Sequence, residues 1–536
     1  MPNEANLRLF IDRYVENVAN LAREYSLAYF TSSASGKKED YEKAKELKIE
    51  LNRIRGNKDD FLKLKAFRES GQIRDGLLLR QLDVIYLTFL ENQIDEAAFK
   101  RRVDLETKVR KQFSDYKAAV GGRELSDSQL NELFKQSSDS AQVEAAWTAK
   151  TAIAGSIAGD ILILVELRNE AAKNLGFSNF HEMKLRLSEQ DPAEFEKLLD
   201  RMDQLTADDY QAAKAEVDRT LAQRFGIRED QLRPWHYHDL SSVYDLDLDK
   251  YYKDKDVVEI ARAFYADIGL PIDDLIAKSD LFEREGKGRQ IFSINIGKEG
   301  DIRVLANVKS NSKSMYYLLH EFGHAVFRKN IDRSLPWLLR DPAAESVTEA
   351  VSMMFDRLVS DPVWLRDVVG ISGEEYQKIA DQALKAQRLQ RLFLNRQMQV
   401  MVRFEKAMYE NPHQDLNKLW WDLTEKYLMV KRPENQEINE WASKIHIALY
   451  PAYYPNYMTA EVLASQFQHY IAEHISGDSG FAGKTAIGEY LIQNVYGSGK
   501  TLPWRELVRR ATGEDLTEKY HASFLSGTVK ALQDYH

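Results

Sequence analysis

Apolar residues recur at three- and four-residue spacing along most of this chain, the pattern of amphipathic helices. The stretch from Gly76 to Val120 is rich in Leu, Glu, Lys and Arg on that period and contains no proline. Similar stretches follow, broken at Gly121-Gly122, Gly176 and Gly226. Twelve prolines in 536 residues suit long helices. No fixed-period repeat or low-complexity tract interrupts them, which argues against a solenoid. One segment departs from the helical period. Gln290 to Ile296 alternates polar and apolar residues, Gly297 and Gly300 follow, and a second such run covers Ile302 to Val308. Two short strands about a glycine-bearing turn predict a hairpin.

Composition narrows the function classes. Hydrophobic residues make up 44 % of the chain, enough for a large core, and no linker divides it into separate domains. The formal net charge of −10, with Lys and Arg dispersed, argues against nucleic acid as a partner. With no cysteine, disulfides, thiolate catalysis and Cys-ligated metals are excluded. The N-terminus has no basic segment followed by an apolar core. The longest apolar run, Ile161 to Val165, is far shorter than the roughly 20 residues of a membrane span. The expectation is a cytoplasmic chain without a membrane segment; export after loss of a leader is the alternative.

The candidate chemistry lies just beyond the hairpin. His320-Glu321-Phe322-Gly323-His324 fits HExxH, and its flanks continue a helix. Two His at i and i+4 share a face about 6 Å apart, so both imidazoles can reach one Zn²⁺. Glu321, one residue on, can take a proton from metal-bound water without being a ligand. A second helix, from Glu345 to Phe355 after the start signal Asp341-Pro342, offers Glu345 and Glu349 on one face. Glu349 is the favoured third ligand, with Glu345 a partner for a His ring or a solvated residue.

Six stretches in fixed order then resemble the angiotensin-converting-enzyme family of zinc dipeptidyl carboxypeptidases, and more distantly the thimet-type oligopeptidases. They are Leu167 to Ala172 before a Gly-Phe pair; Trp235 leading to Val243-Tyr244-Asp245; Asp301 to Val304; and Thr348-Glu349-Ala350. Trp420 to Leu423 leads to Lys426-Tyr427, and Lys444-Ile445-His446 precedes Tyr454-Pro455-Asn456-Tyr457 and Gln466-Phe467-Gln468. The likeness runs from about Trp147 onward and is looser before it.

The resemblance implies a mainly α fold: an elongated, two-lobed helical body with a deep central cleft and the hairpin beside the HExxH helix. It implies one catalytic domain over 1–536, with a helical lid in 1–110, a catalytic body in 147–536 and one Zn²⁺ per chain. It assigns His446 and Tyr457 to oxyanion stabilisation, and Lys444 and Tyr454 to the substrate's C-terminal carboxylate. Tyr450 and Tyr453 read as an aromatic core stripe.

Four positions depart from the family. Asn456 replaces a chloride-binding Arg, Tyr237 or His238 stands where a carboxylate-binding Gln falls, Gln290 replaces a His, and Met353 replaces an Asp one turn after the zinc Glu. Short peptides are the expected substrates, and C-terminal dipeptides the expected products. The alternatives are an oligopeptidase cutting internal bonds and a catalytically silent peptide binder. His236 and His238 read as structural or cleft-lining. His181, His413, His469, His474, His521 and His536 lack partners at ligand spacing. Asp245 to Asp249 lacks the glycine and terminal Glu of a calcium loop.

Overall fold

Helices carry the chain from Glu4 to Ser526 in a computed structural model, and the fold is mainly α. The structure describes residues 3–238, 240, 243, 246–288, 290–434, 438–477 and 480–527, without the side chains of 127 and 128. Tyr244, Asp245 and His536 lie outside the described residues. Among these, strands occur only as two antiparallel hairpins.

The Gly76–Val120 pattern resolves into the helices Gly76–Glu91 and Glu96–Asp115, followed by strand β1 (Ala118–Val120). Asp95 divides the helices by capping the second, its side chain accepting from the amides of Ala97 and Ala98. Gly121-Gly122, expected only as a break, is the turn between β1 and β2 (Arg123–Leu125), with both glycines at positive φ.

The helical stretch Ser140–Asn174 is long and apolar enough to cross a bilayer by length and composition. Half of its most apolar window is buried in the protein, where Ile157, Ile161, Leu164 and Val165 sit in a core with Trp147 and Phe404. That packing is the behaviour of a core helix.

The second hairpin matches its expected position. Strand β3 (Phe292–Ile296) pairs with β4 (Asp301–Leu305), Phe292 opposite Leu305 and Ile296 opposite Asp301. Ile302, Val304 and Leu305 bury the inner side of β4. The outer edge of β4 is occupied by Asp280, which exchanges backbone hydrogen bonds with Val304 and Ala306. The first helix, Glu4–Ser35, packs on β3 through Tyr29 and Phe30, whose rings lie 5.3 and 6.3 Å from that of Phe292. The helices before residue 92 enclose a core of their own, which Trp337 and Leu338 join from the rest of the chain.

Candidate metal centre

Asn311 caps the helix Ser312–Lys329 by accepting from the Ser314 amide. Met315, Leu318, Leu319, Phe322 and Val326 form its fully buried stripe. His320 and His324 stand together on another face, ring centroids 4.8 Å apart. Gly323 has a packing role between them. A Cβ there would lie 2.9 Å from Ser352 Cα and 3.0 Å from Ser352 Oγ, so only glycine lets this helix press on the helix Glu345–Asp356. All residues of that second helix after Glu345 are buried.

The close approach brings Glu349 to the two histidines. Its Oε2 lies 3.5 Å from His320 Nε2 and 3.7 Å from His324 Nε2. Among the described residues, this trio is the group of His, Asp or Glu side chains whose ligand atoms all fall within 4.8 Å of one another. Glu349 Oε1 accepts a 2.7 Å hydrogen bond from the Tyr453 hydroxyl, whereas Oε2 is buried with no hydrogen-bond partner. A buried, unpaired carboxylate oxygen is costly unless something positive meets it. Tetrahedral N and O donors about 2.0–2.1 Å from a zinc ion are separated by roughly 3.3 Å. The spacing and the orphaned oxygen therefore fit a metal ion held by His320, His324 and Glu349. Glu345, the rival carboxylate, is exposed and lies outside the trio.

The outer nitrogen of each imidazole is also held. His320 Nδ1 lies 3.0 Å from Asp356 Oδ2, and His324 Nδ1 lies 2.8 Å from Thr348 Oγ1. Such partners fix ring orientation, leaving Nε2 to face the site. Met353 stands where the family has an Asp, and the carboxylate beside His320 is that of Asp356. It stands two turns after Glu349 on the same face of the helix. Its other oxygen accepts from Arg391 at 2.8 Å; Arg391 and Arg357 both bond Glu461, at 2.6 and 2.5 Å. This buried ionic chain ties His320 to the helix Tyr454–Ile471.

Electrostatics follow burial and proximity. Burial raises Glu321 to about 7, reinforced by the Glu349 charge, with His320, Arg328 and the Ser293 backbone opposing. A carboxyl poised there can both accept and return a proton near neutrality. Burial alone would raise Glu349, but His324, His320 and the Tyr453 hydroxyl together pull it down to about 2. Burial depresses His324 far below its ordinary value. At His320 burial acts the same way, yet its contacts with Asp356 and Glu349 win and raise it.

The residues assigned to the oxyanion and the peptide terminus gather on one side. The His446 ring lies 6.1 Å from Tyr457 and 5.2 Å from Tyr454, and Tyr457 lies 5.0 Å from Tyr453. Burial raises the Tyr457 hydroxyl, and the charges of Glu349 and Glu321 push it further, keeping it a neutral donor. Burial lowers His446, partly offset by Glu349. Lys444 is ion-paired with Glu440. The core-stripe expectation for Tyr450 and Tyr453 is corrected. Tyr450 is 37 % exposed beneath Arg110, and Tyr453 holds Glu349. Ala452, at φ 54, turns the chain so that Tyr453 points at the metal trio, a reversal that side-chain type alone does not signal.

The remaining histidines have ordinary surroundings. His236 lies in a 3-10 turn, bonded to the Arg233 amide and Ser140. His238 stacks on Phe134 at 3.8 Å and meets Lys150. His521 is buried against Ser465. Asp249 accepts from Ser312 and pairs with Lys135, as does Asp247. Asn456 accepts from Gln190 at 3.1 Å.

Comparison with known proteins places the chain in a family. Carboxypeptidase 1 of Bacillus subtilis (strain 168) is 23 % identical over 265 residues, 44 % of this chain. The alignment spans 51 % of that relative, about half its length. The family model described as Peptidase M2, angiotensin-converting enzyme, matches residues 1–238 and 222–526, reaching the N-terminal helices where the motifs alone were sparse. The chain thus belongs to the angiotensin-converting-enzyme family of peptidases.

Proposed function

We propose that the protein is a zinc-dependent peptidase acting on short peptides, with His320, His324 and Glu349 holding one Zn²⁺. The observation that carries this reading is the unpaired Oε2 of Glu349, buried within 4 Å of both imidazole Nε2 atoms, with Glu321 on the same helix. Zinc, when bound, supplies a Lewis acid that polarises a carbonyl and makes water acidic. Glu321 holds the proton of the attacking water and passes it to the leaving amine. His446 and Tyr457 donate to the oxygen on which negative charge develops. The edge of β3 away from β4, which pairs with no strand among the described residues, offers backbone groups to an extended peptide, beside the Ser293 backbone that reaches Glu321. The N-terminal helices over 1–110 cover the centre as a lid and exclude folded proteins, within a single catalytic domain whose body is 147–536. The site works in the cytoplasm.

Release of dipeptides from a free C-terminus is the favoured specificity. Lys444 and Tyr454 stand where the family holds a terminal carboxylate, and the bacterial relative carries a carboxypeptidase name. Internal cleavage is the second reading, favoured by the Glu440 partner that already occupies Lys444. The test is turnover of a short peptide, with products read by mass spectrometry, in native, zinc-stripped and Glu321→Gln protein. Stripping should abolish turnover. Glu321→Gln should keep zinc and lose about 10²–10⁴-fold in kcat. Near-normal turnover by that variant rejects the mechanism.

A further inference from the structure

Next to the metal trio lies a cavity of about 460 Å³, walled on one side by N-terminal helices and on the other by the segment around Tyr453. Tyr453 belongs to both places: it lines the cavity and bonds Glu349. Five cationic side chains reach the cavity wall. Two are neutralised there, Arg168 by Glu106 at 3.1 Å and Lys184 by Glu91 at 2.8 Å. The other three, Lys48, Arg55 and Arg102, must share the same two carboxylates, Glu106 acting on Lys48 and Arg102 and Glu91 on Arg55 and Arg102, and the remaining acid of the wall is the exposed Glu345. Lys48 is half-buried and has no hydrogen bond or ion pair among the described residues. Arg55 bonds the Tyr14 hydroxyl at 3.4 Å and no carboxylate among the described residues. Arg102 approaches Glu106 only at 3.8 Å, and its Nε is buried without a hydrogen-bond partner.

A chain of net charge −10 thus concentrates under-paired cations in one cavity. Desolvated cations without partners are unfavourable, and an anion that completes their hydrogen bonds removes the penalty. We propose that this cavity is a subsite for a carboxylate of the bound peptide, held by Lys48 and Arg102 while the scissile bond lies at the metal trio. This proposal rests on the peptidase reading and gives the N-terminal helices a role in specificity. A glutamate or aspartate side chain is the occupant that leaves Lys444 to the chain terminus; the terminal carboxylate itself carries the same chemistry.

The test uses the zinc-loaded protein and a set of short peptides in which one Glu is walked along the sequence, each compared with its Gln counterpart and with its C-terminal amide. At one position the Glu peptide should have the larger kcat/KM, by about tenfold. Lys48→Met should bring that ratio close to one, and Lys48→Arg should restore it. Structural damage would lower both rates together and leave the ratio, which overturns the proposal, as do equal rates at every position in the wild type. A preference that depends on the terminal carboxylate and not on Glu, yet vanishes in Lys48→Met, assigns the cavity to the chain terminus. Calorimetric binding of the best Glu and Gln pair to zinc-stripped protein separates the two readings. Selective binding without turnover by the loaded enzyme rejects the peptidase reading alone, and turnover without selectivity rejects the subsite alone.

Discussion

The Tyr453 hydroxyl donates to Glu349 Oε1 and leaves Oε2 as the atom that faces both histidines. One hydrogen bond thereby selects which oxygen is offered to a metal. Removing it frees the carboxylate to rotate. Tyr453→Phe should therefore weaken zinc binding about 10–100-fold, the usual cost of losing a partner behind a ligand. Competition with a chromogenic chelator reads this directly. An unchanged zinc Kd would mean that helix packing alone orients Glu349.

The two carboxylates on one helix face give a sharper contrast. Glu349→Gln should lose most zinc affinity, because a neutral amide replaces the buried anion in the trio. Glu345→Gln should change it little, since Glu345 is exposed and outside the trio. If the two variants bound zinc in the opposite order, the ligand assignment would be reversed.

Asp356 offers a test of orientation without touching a metal ligand chemically. Asp356→Asn keeps an acceptor toward His320 Nδ1 but removes the charge that strengthens that bond. Zinc affinity should fall about 10–100-fold. Arg391 retains Glu461, so the fold should survive, as circular dichroism can verify. Loss of helix content without a separate loss of zinc affinity would make Asp356 a structural residue only.

These contacts mark the limit of what the chain reveals by itself. The i and i+4 histidines of HExxH and the glutamate helix are local patterns, so the trio could be proposed from spacing. The β3–β4 hairpin was equally local, because period-two alternation flanks a glycine turn. Asp356 was hidden because its role depends on how two helices cross, and Gly323 because its importance is the absence of a side chain against Ser352. Tyr453 looked like one more aromatic among four. Only the left-handed Ala452 and its surroundings turn it toward Glu349.

That turn is anchored from below and should make stability depend on pH. The Glu405 carboxylate, 1 % exposed, accepts from the Ala452 amide at 2.6 Å. Burial raises its pKa to about 8, against the ordinary 4.5. The folded protein therefore holds this proton where the unfolded chain has lost it. The stabilisation is complete below about pH 4.5 and is lost as pH rises through about 8. Glu405→Gln keeps an acceptor and does not titrate. Between about pH 5 and 9 the wild type should lose up to a few kcal/mol of stability relative to the variant. Thermal melts of both proteins across that range measure it, and parallel curves would refute the assignment.

Lys444 decides between release from a free terminus and internal cleavage. An ammonium facing a carboxylate in a covered site contributes roughly 1.5–3 kcal/mol through a charge-assisted hydrogen bond. Here the ammonium already has Glu440, itself only 6 % exposed, so an incoming terminus must share it. The preference for a free C-terminus over its amide should accordingly be modest, on the order of tenfold in kcat/KM. Lys444→Met should erase it and leave zinc bound. Glu440→Gln should do the opposite: it frees the ammonium and enlarges the preference. That pair of opposite responses is hard to obtain from general damage, which would lower both rates alike. Equal rates for acid and amide in the wild type, unmoved by Glu440→Gln, would reject dipeptide release and leave internal cleavage as the reading of this site.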